Sequence, residues 1–341
     1  MSKSKAKRHS KTERKVKFKP DAFEVPKFLS EEFEDMPSHW KTHKGKNVKV
    51  AVLDTGIWRK KNTNGEWQVH GAFRDLNITG RNFVIENADS LDESELSAIS
   101  EDYTDTSPNG HGTHMTGIIA ANPYNEEFQG VAPKVDLYIG RVMSDANFLN
   151  PKHLAAGINW AIEQEVDIIS MSLGLRSNQD CVSNAIRKAH EACIFLVAAA
   201  GNGGPMNNTV NYPAKYCETI AVSNVKNDFN LVGDSGRGSQ VDYAAPGVNT
   251  FSTGLDDAYS KEEGGTSQAA ASIAGVVALI ISAHRNVEDP ETIRTPVNNL
   301  KQLKAHLMRA AKDDQDEFGI DFNMGYGYID VDKILNYNQN N

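Results

Sequence analysis

The sequence predicts one α/β domain built on a mostly parallel central sheet with helices on both faces. Three observations carry that expectation. Several β-branched or alanine-rich runs are apolar almost throughout, as strands covered on both faces are. Helix-length stretches alternate with them, the pattern of right-handed βαβ crossovers. Glycine-flanked polar residues stand where several of these elements meet, and open α/β sheets gather their function at the carboxyl ends of strands.

Residues 1–20 read as a disordered basic tail, and 21–45 as a polar lead-in containing Pro26 and Pro37. The domain is assigned to 46–336, with 337–341 as a short C-terminal tail. Val48–Leu53 is a β-branched run suited to a buried parallel strand, and Leu137–Val142, Asp167–Met171, Ile194–Ala200 and Thr219–Val222 are of the same kind. His111–Ala121, His153–Glu165 and Val182–Glu191 are the intervening helices. Residues 226–263 are richer in turns and polar groups. From Ser267 an alanine-rich run continues to Ile281, with small and apolar residues on all sides, which predicts a helix buried all round. Val297–Lys312 is a further helix, and 317–336 close the chain. No internal repeat and no dividing linker interrupts the body.

A hydrophobic content of 39 % over 341 residues supports a sizeable core and excludes global disorder. Apolar runs such as Ile194–Ala200 and Ile273–Ile281 are too short to span a bilayer. The basic N-terminus lacks the apolar stretch of a secretory signal, so a cytoplasmic location is expected, with nuclear import by the basic tail as the lesser reading. Residues 1–19 carry a local charge of +8 and the remainder −17. An acidic body argues against nucleic acid as partner, because phosphate contact wants a basic face. Cys181, Cys193 and Cys217 are odd in number and spaced unlike a disulfide framework or zinc site, and are read as reduced, structural thiols.

Four motifs carry the chemistry. Val50-Ala51-Val52-Leu53-Asp54-Thr55-Gly56 ends a strand in a carboxylate. Asn109-Gly110-His111-Gly112-Thr113-His114 sets His111 at a glycine-flanked helix entry, with His114 one turn on as a structural histidine. Ala198-Ala199-Ala200-Gly201-Asn202-Gly203-Gly204 ends another buried strand in an amide. Gly264-Gly265-Thr266-Ser267-Gln268-Ala269-Ala270-Ala271 sets a serine where a glycine turn enters the alanine-rich helix. There, free N–H groups and the helix dipole favour a developing oxyanion. Alone, Ser267 reads equally as an N-cap, Asn202 as a turn residue, and Asp54 as an ordinary strand end.

Together, the four in this order resemble the subtilisin-like serine proteases (subtilases), from about Val48 to about Leu335, and in particular their intracellular members. The order Asp, His, Ser is that of subtilisin. The resemblance implies a three-layer subtilisin-like fold and a serine endopeptidase acting on polypeptides through an acyl-enzyme. By that resemblance Ser267 is the nucleophile, His111 the general base, Asp54 the acid that orients the imidazole, and Asn202 the side-chain oxyanion donor. It also implies that Ser172, Leu173 and Gly174 pair with an extended peptide. Ala199, Ala200 and Gly201 would form the opposite wall of the primary pocket, and Asn211 its base. No metal or cofactor is needed for the chemistry.

The chain departs from the family in places. Ala271 stands where proline is usual, and Gln268 where an apolar residue is common. The segment between Asp54 and His111 is long and carries Glu86, Asp89, Asp92, Glu93, Glu95, Glu101, Asp102 and Asp105. It reads either as a loop overhanging the cleft and favouring basic or extended substrates, or as a solvated acidic excursion. The family's calcium loop maps to Asn122–Phe128, but Tyr124 replaces an oxygen-bearing asparagine, which speaks against a calcium site. The segment before the first strand is short for a folding propeptide, and Lys19–Leu29 is either an inhibitory segment for the cleft or a plain lead-in.

Two imitations are set aside. Gly233-Asp234-Ser235-Gly236 resembles the chymotrypsin nucleophile motif, and Asp54-Thr55-Gly56 with Asp234-Ser235-Gly236 the paired aspartates of pepsin-like proteases. Both families are all-β, unlike this chain. The rivals that stay open are a catalytically silent scaffold of the same fold and a dedicated maturation protease for one partner peptide. The sequence leaves the oligomeric state open.

Overall fold

A computed structural model of the protein describes residues 44–85, 92–122, 128–206, 208–226, 228, 230–285, 297–312 and 322–329. The expected basic tail, most of the lead-in and the C-terminal tail lie outside the described residues.

The described chain centres on a nine-stranded sheet. Its strands are β1 (Lys49–Asp54), β4 (Ile78–Asn82), β5 (Asp136–Arg141), β6 (Ile168–Met171), β7 (Phe195–Ala199), β8 (Thr219–Val225), β9 (Tyr243–Pro246), β12 (Ala311–Lys312) and β13 (Tyr328–Ile329). They lie in the order β12-β13-β9-β8-β7-β6-β1-β5-β4, and every neighbouring pair is parallel except β12 with β13. Two hairpins stand apart, β2 (Arg59–Lys61) with β3 (Trp67–Val69) and β10 (Val248–Thr253) with β11 (Tyr259–Gly264).

The apolar strands explain the three layers. Side chains alternate across a pleated strand, so Val50 and Val52 enter one core while Ala51 and Leu53 enter the other. The first core is completed by α2 (His111–Ala120), α5 (Thr266–Arg285) and α6 (Leu300–Ala310), the second by α3 (Pro151–Glu163) and α4 (Asp180–Glu191). β1 is flanked by β5 on one side and β6 on the other. The onward connection of β1 runs toward β4 and that of its neighbour β6 runs toward β7, so these two adjacent strands send the chain to opposite sides, the switch point at whose carboxyl ends open α/β sheets place their sites.

The expected strands and helices are present, with ends displaced by a few residues. Asn150 caps α3 by accepting from the Lys152 amide, which starts that helix at Pro151, and Asn299 caps α6 in the same way. α5 is buried along most of its length and packs on β6, β7, β8, β9 and α2. At 20 residues it is long and apolar enough to cross a bilayer, yet 89 % of its most apolar window is covered within this fold.

Three readings need correction. Residues 226–263 hold β9, β10 and β11, short pieces whose polar, turn-rich composition hid them. The described part of the acidic segment between Asp54 and His111 is not an overhanging loop. It supplies β2, β3, the sheet-edge strand β4 and a short helix, α1 (Glu93–Ser100), with Asp92 and Glu95 forming a capping box. Arg59 pins this segment from within. Its guanidinium lies 3.9 Å from the Trp67 ring centre and 3.7 Å from that of Tyr103, and pairs with Asp102 at 3.1 Å. The three cysteines are free and exposed, not packed in the core as structural thiols would be.

Candidate active site

Asp54 is the last residue of β1, hemmed in by strands on both sides and 1 % exposed. Its Oδ1 accepts the Thr55 amide at 2.8 Å and bonds His111 Nδ1 at 2.7 Å. His111 opens α2. Gly110 precedes it with φ 63°, and a Cβ there would stand 2.8 Å from Leu255, so the chain enters the helix only through glycine.

Gly110 offers no side chain to cap α2. The caps come from elsewhere: Thr55 Oγ1 accepts the Gly112 amide at 2.8 Å, and Asp105 Oδ2 accepts from Thr113 N at 3.0 Å and Thr113 Oγ1 at 2.7 Å. Asp105 is buried, its other oxygen takes Ser107 N and Oγ, and its charge lies at the positive end of the α2 dipole. The imidazole is thus fixed through its helix as well as through Asp54. Burial alone would lower the basicity of His111, but the charges of Asp54, Glu262 and Asp105 outweigh it, and its pKa is raised to about 9. His114 goes the other way, lowered to about 4 by burial and by the neighbouring His111. Its Nε2 bonds the Thr250 carbonyl at 3.2 Å, in keeping with the structural role read from sequence.

Ser267 is the second residue of α5, so it is not the N-cap that a bland reading allowed. Its backbone N–H falls in the first turn, where the helix supplies no acceptor. The turn before it depends on glycine: Gly264 has φ +98°, and a Cβ there would meet the Gly247 carbonyl oxygen at 1.8 Å. The Ser267 hydroxyl donates to the Ser172 carbonyl at 3.2 Å; no hydrogen bond joins it to His111 in this conformer. Asn202 follows β7 and is exposed. Its Oδ1 accepts from both Thr266 N and Thr266 Oγ1 at 3.0 Å, while Thr266 Oγ1 in turn accepts the Gly201 amide at 3.0 Å. That chain of bonds commits the amide oxygen and leaves the NH₂ end of Asn202 to face outward as a donor.

The residues assigned to the pocket also meet. Asn211 donates its backbone N–H to the Ala200 carbonyl at 2.9 Å. Its side chain lies between the two walls: a Cβ on Gly174 would stand 3.0 Å from Asn211 Nδ2, and one on Gly201 would stand 2.4 Å away. Ala199 and Ala200 are buried, as are Ser172 and Leu173, and Leu173 points into the core beside Met171. Ser172–Gly174 lie just past β6 and not in it, although Leu175 bridges antiparallel to Tyr212.

Three contributors were not singled out. Thr55 and Asp105 cap the histidine helix, and the charge of Glu262 on β11 helps to raise the basicity of His111. Asp105 was visible only as one of eight acidic residues in a long segment. Of the features set aside, Ser235 is buried with its Oγ accepting the Asn224 amide at 2.8 Å, a turn-holding role. Residues 123–127 of the calcium-loop region lie outside the described residues.

The chain is similar to known proteins along most of its length. A family model described as "Subtilase family" matches residues 45–327. The chain is 33 % identical over 292 residues to subtilisin DY of Bacillus licheniformis, covering 85 % of this chain and 91 % of that protein. It is 40 % identical over 251 residues to the major intracellular serine protease of Bacillus subtilis (strain 168), 72 % of each chain. It is 34 % identical over 284 residues to the intracellular serine protease of Paenibacillus polymyxa, covering 81 % of this chain and 80 % of that one.

Proposed function

The chain belongs to the subtilase family and is a serine-type endopeptidase, and from that premise we propose that Ser267 is its nucleophile, His111 its general base, Asp54 the orienting acid and Asn202 an oxyanion donor. The observation that carries this reading is the 2.7 Å bond from His111 Nδ1 to Asp54 Oδ1. With its proton held on Nδ1 by a buried carboxylate, a neutral imidazole has a bare Nε2, the atom that can accept a hydroxyl proton.

In the reaction the Ser267 hydroxyl turns from the Ser172 carbonyl toward His111, loses its proton to Nε2, and attacks the scissile carbonyl. Negative charge builds on that carbonyl's oxygen, facing the Ser267 N–H and the outward NH₂ of Asn202. The imidazolium, steadied by Asp54, then gives the proton to the departing amine. Water repeats the sequence on the acyl-enzyme. Polypeptides are the substrates, bound in extended form along Ser172–Gly174. Ala199–Gly201 faces them across the pocket and Asn211 lies at its base. A neutral amide in that position favours a residue other than Lys or Arg before the cut, and cleavage profiling dominated by those two would refute that. The likeness to two proteases named intracellular supports a cytoplasmic setting.

Labelling with a fluorophosphonate tests the reading. The folded wild-type protein takes up one label on Ser267, and Ser267→Ala takes up none. An unlabelled wild-type protein would mean a silent scaffold.

A further inference from the structure

Glu262 is half-buried on β11, directly across the hairpin from Thr250. The hairpin is clasped to the histidine helix at three points: His114 Nε2 bonds the Thr250 carbonyl at 3.2 Å, Ser252 Oγ donates to the His114 carbonyl at 2.8 Å, and Thr253 Oγ1 donates to the Thr113 carbonyl at 2.8 Å. Leu255, in the turn beyond, packs against Gly110. β10 is therefore tied to α2, and β11 follows through its pairing with β10. From its far end, Gln268 reaches back: its Nε2 donates to Glu262 Oε2 at 3.0 Å, and Gln268 is the residue after Ser267, 3 % exposed.

Resting on the triad reading above, we propose that Glu262, kept beside the start of α5 by its bond to Gln268, is a second carboxylate, besides Asp54, whose charge stabilises the imidazolium of His111 through space without bonding it.

The charged groups that act on His111 are Asp54 from β1, Asp105 from the segment before α2, and Glu262 from β11, with His114 on its own helix. Asp54 and Asp105 are each committed to backbone amides, so altering either dismantles the scaffold. Glu262 has a single side-chain tether and one oxygen left over, so its charge can be removed with the scaffold kept. Its own carboxyl is pushed up by burial and by Asp54, and pulled down by His111 and by the Gln268 bond. The coupling between Glu262 and His111 is therefore mutual. Its chemical effect has two sides. The imidazolium formed when Ser267 gives up its proton is stabilised, while the resting base stays protonated to higher pH.

The test is the pH profile of kcat/KM, with each preparation normalised by fluorophosphonate titration so that only folded, competent enzyme is counted. In Glu262→Gln the rising limb moves to lower pH. At pH 7, kcat/KM rises about three- to tenfold as the neutral fraction of the imidazole grows, and on the alkaline plateau it falls. Gln268→Leu, which frees the carboxylate without removing it, moves the limb the same way by less. Merely structural damage would lower both ends together. A limb that stays put in both variants, or activity that falls at both ends, overturns the proposal. Failure of wild-type protein to label at all would instead overturn the triad reading beneath it.

Discussion

Ser172 and Ser267 hold each other by a reciprocal pair of hydrogen bonds: Ser172 Oγ donates to the Ser267 carbonyl at 2.8 Å, and Ser267 Oγ donates to the Ser172 carbonyl at 3.2 Å. The end of β6 and the start of α5 are joined there. Only the second bond must break for Ser267 to react. Ser172→Ala removes the first, so the α5 entry loosens. Stability should fall by about 1 kcal/mol in denaturant titration, with kcat lowered and Ser267 still open to labelling. An unchanged midpoint would show that the bond holds nothing.

Asn202→Ala leaves the Thr266 amide and hydroxyl without their acceptor and removes the outward NH₂. Loss of one such donor in subtilisin costs roughly 100- to 1000-fold in kcat, with the ground state little affected. Steady-state kinetics on a peptide amide should give a fall in kcat of that order with KM nearly constant. A variant in which KM rises and kcat holds would refute the oxyanion role.

Asp105→Ala strips four hydrogen bonds from a buried carboxylate at the head of α2. A loss of roughly 3 kcal/mol in unfolding free energy is expected from orphaned donors in a buried site. Asp105→Asn should recover part of it, since an amide oxygen still caps the helix. Thermal melts of both variants check this.

His111 has a folded-state pKa of about 9, above the ordinary histidine value. A base that must be neutral to act then gives a kcat/KM that climbs through neutrality toward about pH 9. The stability consequence has the opposite sign. A pKa raised on folding stabilises most below the unfolded value near 6.5, and that contribution is lost as pH rises through 9. Chemical denaturation of the inactive Ser267→Ala protein between pH 6 and 10 should therefore show stability falling while, in the wild type, activity rises. A histidine contribution to stability that grows with pH would contradict the assignment.

How much of this was legible in the sequence depends on how local each signal is. Val48–Leu53 and the alanine-rich run after Ser267 announce themselves because burial leaves few polar residues, Lys49 in the first and Gln268 and Ser272 in the second, to confuse the pattern. Asp54, His111, Asn202 and Ser267 were legible because each sits in its own glycine-marked turn, and those glycines answer to steric demands such as φ +98° at Gly264. β4, β10 and β11 were missed because edge and hairpin strands are short and half-polar, so they read as turns. Thr55, Asp105 and Glu262 were missed for a different reason. Each acts on a helix or ring brought near by tertiary folding, and nothing in a threonine or a glutamate announces which distant amide it will meet. Gln268 was seen only as a departure from the family; in the fold its amide donates to Glu262 at 3.0 Å.

α5 carries Ser267, the proposed nucleophile, at its first turn while the body of the same helix lies against four strands and α2. Amide protons from Ile273 to Ile281 can then reach solvent only when the molecule opens as a whole, so their hydrogen exchange should report global unfolding and nothing smaller. Heat inactivation should follow suit. The reactive hydroxyl has no local melting of its own, so catalysis and the native core should vanish in one transition, without a warm, slackened state in between.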